Sequence, residues 1–289
     1  MAEPSRIELE ALPSMGGLYR RAATASVLPF GGGGSELPET VVSLRGISVE
    51  PGELADYARV CGFTLRDSLP ATYPHVAAFA LQLELMTSKG FPFDLLGLVH
   101  LANRIEQSRP LRVDEPFDLR VFSENLRPHR RGKQVDLVSE ASVDGETVWL
   151  DRSTYLRRGK DGEESAADES LGVEPADDWT EAVWSLPGDL GRRYAAVSGD
   201  RNPIHMSALS AKAFGFPRAI AHGMWSKARA LAAFDGAVAD EFTIAVEFKA
   251  PVLLPSKPRF RAAPAGDGFE FALLRKDGER EHLAGRIIA

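Results

Sequence analysis

Residues 194–224 read YAAVSGDRNPIHMSALSAKAFGFPRAIAHGM, and this stretch is the part of the chain that decides the fold. The letters S-G-D at 198–200 are typical of a turn, and the N-P pair at 202–203 stops a helix that arrives from the N-terminal side. Asp200 and His205 therefore lie on a constrained loop. Side chains that share a helix face are about three or four residues apart, so only a loop can bring this pair together.

The loop offers the chemistry of an acid/base pair. His205 can titrate near neutrality, and a partly buried carboxylate such as Asp200 can have its pKa raised toward the same range. A second polar turn, A-H-G at 221–223, opens an apolar helical stretch. The backbone N–H of Gly223 is an unpaired donor at a helix start, and a residue without a side chain lets a ligand approach it closely. The stretch predicts a general acid/base pair beside an oxyanion-binding helix start.

The joint pattern resembles the hydratase motif of MaoC-like proteins, which are (R)-specific enoyl-thioester hydratases and (3R)-hydroxyacyl-thioester dehydratases with the hot-dog fold. The resemblance implies that Asp200 and His205 are the catalytic residues and that the Gly223 N–H polarises the thioester carbonyl. The residues that carry the resemblance are Tyr194, Ser198, Gly199, Asp200, Asn202, Pro203, Ile204, His205, Ala211, Gly215, Phe216, Ile220, Ala221, His222, Gly223 and Met224.

Three further residues of the motif receive supporting roles. Asn202 and Ser198 are predicted to position the substrate, with Asn202 either orienting the loop or binding the reacting water. His222 is predicted to be a packed or turn-stabilising residue. The division of proton transfer between the two catalytic groups stays open, because a coupled pair titrates together.

The composition excludes several classes of protein. The net charge of −7 argues against nucleic acid as a partner, since binding it requires a basic footprint. The only cysteine is Cys61, which allows no intrachain disulfide and fits a cytoplasmic location. No run of about twenty apolar residues is present, so no membrane span is expected. The six histidines show no metal-ligand spacing, and neither a metal nor a cofactor is predicted.

The chain contains an internal repeat. Residues 57–63 match residues 194–200 at an offset of 137, and Pro110 corresponds to Pro251 at an offset of 141. Two anchors at nearly constant offset indicate a duplication. Phe63 stands where Asp200 stands, so the first copy has lost the acid/base pair.

The predicted fold is α+β. Alternating strands need a helix to bury their apolar face, and by the resemblance each copy is a hot-dog unit, an antiparallel sheet wrapped around a central helix, with the two units fused as a double hot dog. The predicted organisation is a poorly patterned segment (1–44), a degenerate N-terminal unit (45–158), an exposed linker (159–178) and a catalytic C-terminal unit (179–289). Within the first segment, Gly31–Gly34 is expected to be flexible and Leu18–Leu28 to form a short amphipathic piece packed on the surface.

The predicted function is reversible hydration of trans-2-enoyl thioesters, or dehydration of (3R)-3-hydroxyacyl thioesters, in fatty-acid metabolism. The thioester is carried by coenzyme A or by an acyl carrier protein, and the protein is a monomeric double hot dog or a homodimer. Two alternatives are a non-catalytic acyl-binding or scaffold subunit and a hot-dog thioesterase. The first copy has Phe63 in place of an acid and is predicted to line an apolar tunnel for the acyl chain, unless that copy is only a structural partner. The predicted lining along its helix is Val76, Ala77, Ala78, Phe79, Ala80 and Leu81, of which the alanines leave room beside the helix.

Overall fold

A computed structural model of the protein describes residues 5–27, 36–88, 90–95, 97–159 and 170–289. The helices are α1 (Met15–Val27), α2 (Pro51–Cys61), α3 (Pro74–Met86), α4 (Leu190–Ser198), α5 (Pro203–Met206), α6 (Ala208–Ala213) and α7 (Gly223–Ala232). The strands are β1 (Ser5–Leu9), β2 (Thr40–Ile47), β3 (Leu98–Gln107), β4 (Phe117–His129), β5 (Gly132–Val143), β6 (Glu146–Arg158), β7 (Thr180–Val183), β8 (Phe242–Phe248), β9 (Arg259–Ala265), β10 (Gly268–Leu274) and β11 (Glu281–Ile288). Within these ranges, no helix combines the length and the apolar character that crossing a bilayer requires.

The strands form one sheet with the order β1-β2-β4-β5-β6-β3-β8-β11-β10-β9-β7. Leaving out β1, which adds to β2 in parallel, this order is symmetric about the antiparallel pairing of β3 with β8. Each half contributes five strands in equivalent positions. The predicted α+β fold of two fused units is confirmed, and their strands form one continuous sheet.

One helix lies in the middle of each half. The helix α3 packs against β2, β4 and β5, and its apolar residues Leu81, Leu83 and Leu85 are fully buried. The helix α7 is also buried on nearly all sides, as expected of a helix that a sheet surrounds. Lys227 of α7 is fully buried too, although lysine usually lies at the protein surface.

The two halves share local geometry around a pair of tyrosines. Tyr57 on α2 and Tyr194 on α4 are both buried, and their ring centroids lie 6.2 Å apart. Each helix ends at a left-handed glycine, Gly62 with φ 86° and Gly199 with φ 73°. A left-handed cap of this kind favours glycine, because a Cβ atom is strained there.

The helix starts differ between the halves. Where α7 starts at Gly223, α3 starts at Pro74, which has no backbone N–H. The first half therefore lacks a donor at the position where the second half has one.

The N-terminal segment contains more regular structure than the sequence patterns indicate. The strand β1 and the helix α1 both lie within residues 1–44, and β2 begins there and crosses the predicted boundary at residue 45. The described part of α1 fits the expected amphipathic piece packed on the surface, since Leu18 and Ala22 are buried while Arg20 and Arg21 are exposed. Arg21 forms an ion pair with Glu84 of α3, which fixes α1 to the first half.

Two predictions concern residues that the structure describes only in part. The glycine run Gly31–Gly34 and residues 160–169 of the predicted linker lie outside the described residues. In the described remainder of the linker, the Leu171 N–H donates to Glu247, and Val173 is buried. This part of the linker is therefore packed on the second half and is not wholly exposed.

Candidate active site

The motif residues meet at the loop between α4 and α5, opposite the start of α7. Asn202 caps α5, because its side-chain oxygen accepts a hydrogen bond from the Ile204 N–H at 3.4 Å. Gly191 on α4 lies directly beneath the loop, where an added Cβ would approach the His205 carbonyl oxygen to 2.0 Å. The loop can rest on α4 only because residue 191 has no side chain.

Asp200 has one oxygen committed to the protein and one available. Its Oδ1 accepts hydrogen bonds from the Tyr19 hydroxyl at 2.6 Å and from the Asn202 N–H at 3.1 Å. Its Oδ2 lies 3.7 Å from Nε2 of His222. Burial raises the pKa of Asp200, but His222, His205 and the Tyr19 hydrogen bond outweigh it and hold the pKa below its usual value. The expectation of a raised pKa is wrong, and the carboxylate is ionised at neutral pH.

His205 is held as a neutral imidazole. Its Nδ1–H donates to the Ile220 carbonyl at 2.8 Å, which leaves Nε2 as a hydrogen-bond acceptor. Burial lowers the pKa of His205, although the nearby Asp200 opposes this effect. A neutral His205 with a free Nε2 beside an ionised Asp200 is therefore the resting state of the site.

His222 stabilises the loop that carries Asp200. Its Nε2–H donates to the backbone carbonyl of Asp200 at 3.0 Å, and its ring stacks on that of His205 with centroids 3.6 Å apart. Burial lowers the pKa of His222 to about 3, so the ring is neutral. These contacts agree with the packed, turn-stabilising role expected for this residue.

Gly223 is the first residue of α7 and lines the same cavity as Asp200 and His205. Its N–H makes no hydrogen bond to any described residue, as is usual for the first donors of a helix. An added Cβ would lie 3.0 Å from the Phe248 ring. The space in front of the N–H is therefore bounded by Phe248 and would narrow with any larger residue.

Ser198 has a different environment from the one predicted. Its hydroxyl donates to the Tyr194 carbonyl at 2.9 Å and accepts from the Asp200 N–H at 3.3 Å. Although Ser198 lines the cavity, its hydrogen bonds shape the turn that carries Asp200.

The cavity has a volume of about 1620 Å³ and extends from the motif residues along α3 into the first half. The side of α3 that lines it carries His75, Val76, Phe79 and Met86. The predicted lining is correct for two of its residues, Val76 and Phe79. The other predicted residues do not line the cavity: Phe63, Ala77, Ala78, Ala80 and Leu81. The sequence pattern therefore identified the correct helix but not which side of it faces the cavity.

Tyr19 is a residue of the site that the sequence patterns missed. It lines the cavity and donates to Asp200 from a helix that lies 181 positions earlier in the chain. Met15 of the same helix packs against Gly199 of the catalytic loop. A tyrosine in an unremarkable N-terminal helix carries no local signal of this contact.

The ligand atoms of Asp200, His205 and His222 lie within 4.8 Å of one another, which is close enough for a metal ion. Two of the four ring nitrogens, however, already donate to backbone carbonyls. The absence of a metal from the reaction stays a prediction.

Comparison with known proteins gives consistent results. Residues 172–272 match the profile of the MaoC like domain. The chain is 35% identical over 265 residues to 3-hydroxyacyl-thioester dehydratase X of Mycobacterium tuberculosis, which covers 92% of this chain and 95% of the relative. It is 26% identical over 193 residues to the enoyl-CoA hydratase ChsH3 of the same organism, covering 63% of this chain and 66% of the relative.

A solved structure is similar over most of the fold. The crystal structure of HtdX of Mycobacterium tuberculosis has a TM-score of 0.75 and 35% identity to this chain, covering 86% of this chain and 98% of that one. Similarity of this extent covers both halves of the sheet as well as the motif. The chain belongs to the MaoC-like dehydratase family.

Proposed function

We propose that the protein catalyses the reversible hydration of trans-2-enoyl thioesters and the dehydration of (3R)-3-hydroxyacyl thioesters in fatty-acid metabolism. As a member of the MaoC-like dehydratase family, with relatives named as a dehydratase and a hydratase, the chain is a hydro-lyase. The substrate is an acyl thioester of coenzyme A or of an acyl carrier protein.

The observation that carries this proposal is the convergence of three groups on one cavity. These are the available Oδ2 of Asp200, the acceptor Nε2 of His205 and the N–H of Gly223 at the start of α7. Two proton acceptors and one oxyanion donor are the set that hydration across a Cα–Cβ bond requires. The first half has Phe63 and Pro74 at the equivalent positions and therefore has neither a carboxylate nor a donor there.

In the dehydration direction, the thioester carbonyl accepts a hydrogen bond from the Gly223 N–H. This contact stabilises the negative charge that develops on the oxygen when the Cα proton leaves. One member of the Asp200–His205 pair takes that proton, and the pair then returns the same proton to the departing β-hydroxyl, which leaves as water. Hydration reverses these steps, and the pair ends each turnover in its starting protonation state.

The remaining residues hold this arrangement in place. Tyr19 and Asn202 fix Oδ1 of Asp200, and His222 fixes the backbone of the loop. Each contact keeps Oδ2 and the His205 ring aimed at the reacting carbons, and well-oriented groups contribute much of the rate enhancement in such sites.

The test is an ultraviolet assay that follows the loss of the enoyl-thioester chromophore with trans-2-enoyl-CoA of several chain lengths. We expect turnover in the presence of EDTA, and chiral analysis should give the (3R) product. A (3S) product, or activity that EDTA abolishes, would contradict the proposal. The same assay with acyl carrier protein thioesters distinguishes the two carriers.

We further propose a cytoplasmic location and a monomer or homodimer. The symmetric pairing of β3 with β8 supplies within one chain the contact between two hot-dog units. Light scattering of the purified protein measures the oligomeric state.

A further inference from the structure

A buried polar network links the two halves next to the cavity, and the proposed reaction does not use it. Lys227 of α7 donates to the side-chain and backbone oxygens of Asn103 and, at 3.1 Å, to the Ile244 carbonyl. Asn103 in turn donates to Asp151 at 2.9 Å, and His75 of α3 lies 2.8 Å from the other oxygen of Asp151. Lys227 and Asp151 are fully buried.

The network orients His75 toward the cavity. Asp151 is ionised, because His75 and Lys227 overcome the effect of burial and lower its pKa. An ionised carboxylate only accepts hydrogen bonds, so the Nδ1–H of His75 donates to it. The remaining nitrogen, Nε2, makes no hydrogen bond to any described residue, and His75 lines the cavity. His75 therefore presents an open ring nitrogen to whatever occupies the cavity.

A second unpaired ring nitrogen lies just behind the same wall. Nε2 of His100 is buried and has no partner among the described residues. The His100 ring stacks on Tyr155 at 4.5 Å and lies 4.8 Å from Phe248, the residue that faces Gly223. The polar wall is therefore continuous with the catalytic end of the cavity.

We propose that the open Nε2 of His75, held in place by Asp151, forms a polar subsite that binds a hydroxyl group on the acyl chain beyond Cβ. This inference rests on the proposed function, because it names the class of acyl thioester that the cavity takes. A purely structural His75–Asp151 pair would not require an open Nε2 in the cavity wall. Buried polar groups are almost always paired in folded proteins, so an unpaired ring nitrogen in the cavity wall matches a ligand that brings a hydrogen-bonding group.

The donor is neutral. Burial lowers the pKa of His100 to about 3, which marks this wall as poorly hydrated. An ammonium group would lose its hydration there without gaining a charged partner. A hydroxyl can pair with the ring nitrogen of His75 without carrying a charge into the cavity.

The test is equilibrium binding by calorimetry of saturated acyl-CoA thioesters of one chain length. One member is the plain chain, and each of the others carries a single hydroxyl at a different carbon beyond Cβ. We expect one hydroxyl position to bind the wild-type protein about tenfold more tightly than its neighbours. His75→Leu should remove that preference and leave the plain chain unaffected.

The matched control is Gln82→Leu. Gln82 is a buried polar residue of the same helix, but it bonds to Ser139 and does not line the cavity. It should retain the hydroxyl preference. His75→Gln, which can keep a hydrogen bond to Asp151, provides a second variant if His75→Leu does not fold.

Two results would overturn the proposal. The first is a wild-type series without a preferred hydroxyl position, which is independent of any variant. The second is an equal loss of affinity for the plain and the hydroxylated chains in His75→Leu, which would point to the pantetheine amides instead. Binding needs no turnover, so a protein that shows the preference but hydrates no enoyl thioester would refute only the proposed function.

Discussion

Replacing Tyr19 with phenylalanine removes one hydrogen bond from Asp200 and changes little else. The hydroxyl donates to Oδ1 at 2.6 Å, while the Asn202 N–H remains as a second donor to the same oxygen. A hydrogen bond to a charged group contributes about 1.5–3 kcal/mol. If this bond is needed in the transition state, its loss lowers kcat about 10–150-fold.

The pH profile separates positioning from mere packing. The Tyr19 hydrogen bond lowers the pKa of Asp200, so its removal raises that pKa. Activity that requires the carboxylate is lost as the pH falls through this pKa, and the acidic limb of kcat/KM should therefore move to higher pH in Tyr19→Phe. The assay is enoyl-CoA hydration at a series of pH values.

The control is Tyr57→Phe, which removes a buried hydroxyl that bonds to Thr72 at 2.9 Å and does not contact Asp200. It should keep the wild-type kcat and acidic limb. A wild-type kcat and an unmoved acidic limb in Tyr19→Phe would refute the positioning role. An equal loss of kcat in both variants would mean that removing either hydroxyl lowers activity only by destabilising the fold.

Three further predictions concern the loop, the helix start and the buried lysine. Asp200→Asn and His205→Ala should each reduce kcat about 10²–10⁴-fold, and the double variant should be little worse than either; multiplicative losses in the hydration assay would contradict a shared role. Gly223→Ala should lower kcat/KM, because the new Cβ would lie 3.0 Å from the Phe248 ring. Adding Phe248→Leu to this variant should recover part of the lost kcat/KM. No recovery would show that the loss does not come from contact with Phe248. Burial lowers the pKa of Lys227 to about 7 in the folded protein from 10.5, so the unfolded chain binds more protons between these values and stability rises with pH by up to about 1.4 kcal/mol per unit. Urea denaturation of Lys227→Met at pH 7–9 should lack that rise, and an unchanged slope would show that Lys227 stays protonated.

The sequence was most informative where function depends on neighbours in the chain. Asp200 and His205 are five residues apart, and a turn with a left-handed glycine and an Asn-Pro helix stop constrains the loop between them. Gly223 follows a polar turn at the start of an apolar helix. Local rules of turn and cap formation are sufficient to predict each of these features.

Local rules of this kind do not predict contacts between distant segments of the chain. Tyr19 reaches Asp200 across 181 positions, and nothing in the N-terminal segment signals it. The sequence pattern also did not separate the residues of α3 that line the cavity from those that do not, because apolar residues occur on every side of this helix. The lowered pKa of Asp200 depends on His222 and Tyr19 as partners, so it required coordinates.

The symmetric sheet has a consequence for the order in which the protein is made. The strand β3 pairs with β6 on one side and with β8 on the other. The β8 side stays unpaired until β8 is synthesised, and Gln107 and its partner Phe242 are 135 positions apart. At ribosomal rates of about 5–20 residues per second, the unpaired edge of β3 stays open on the nascent chain for roughly 7–27 s. An open strand edge is a template for pairing with other chains. The first half synthesised alone would therefore tend to pair through β3 with a second copy of itself, in the place that β8 takes in the complete protein.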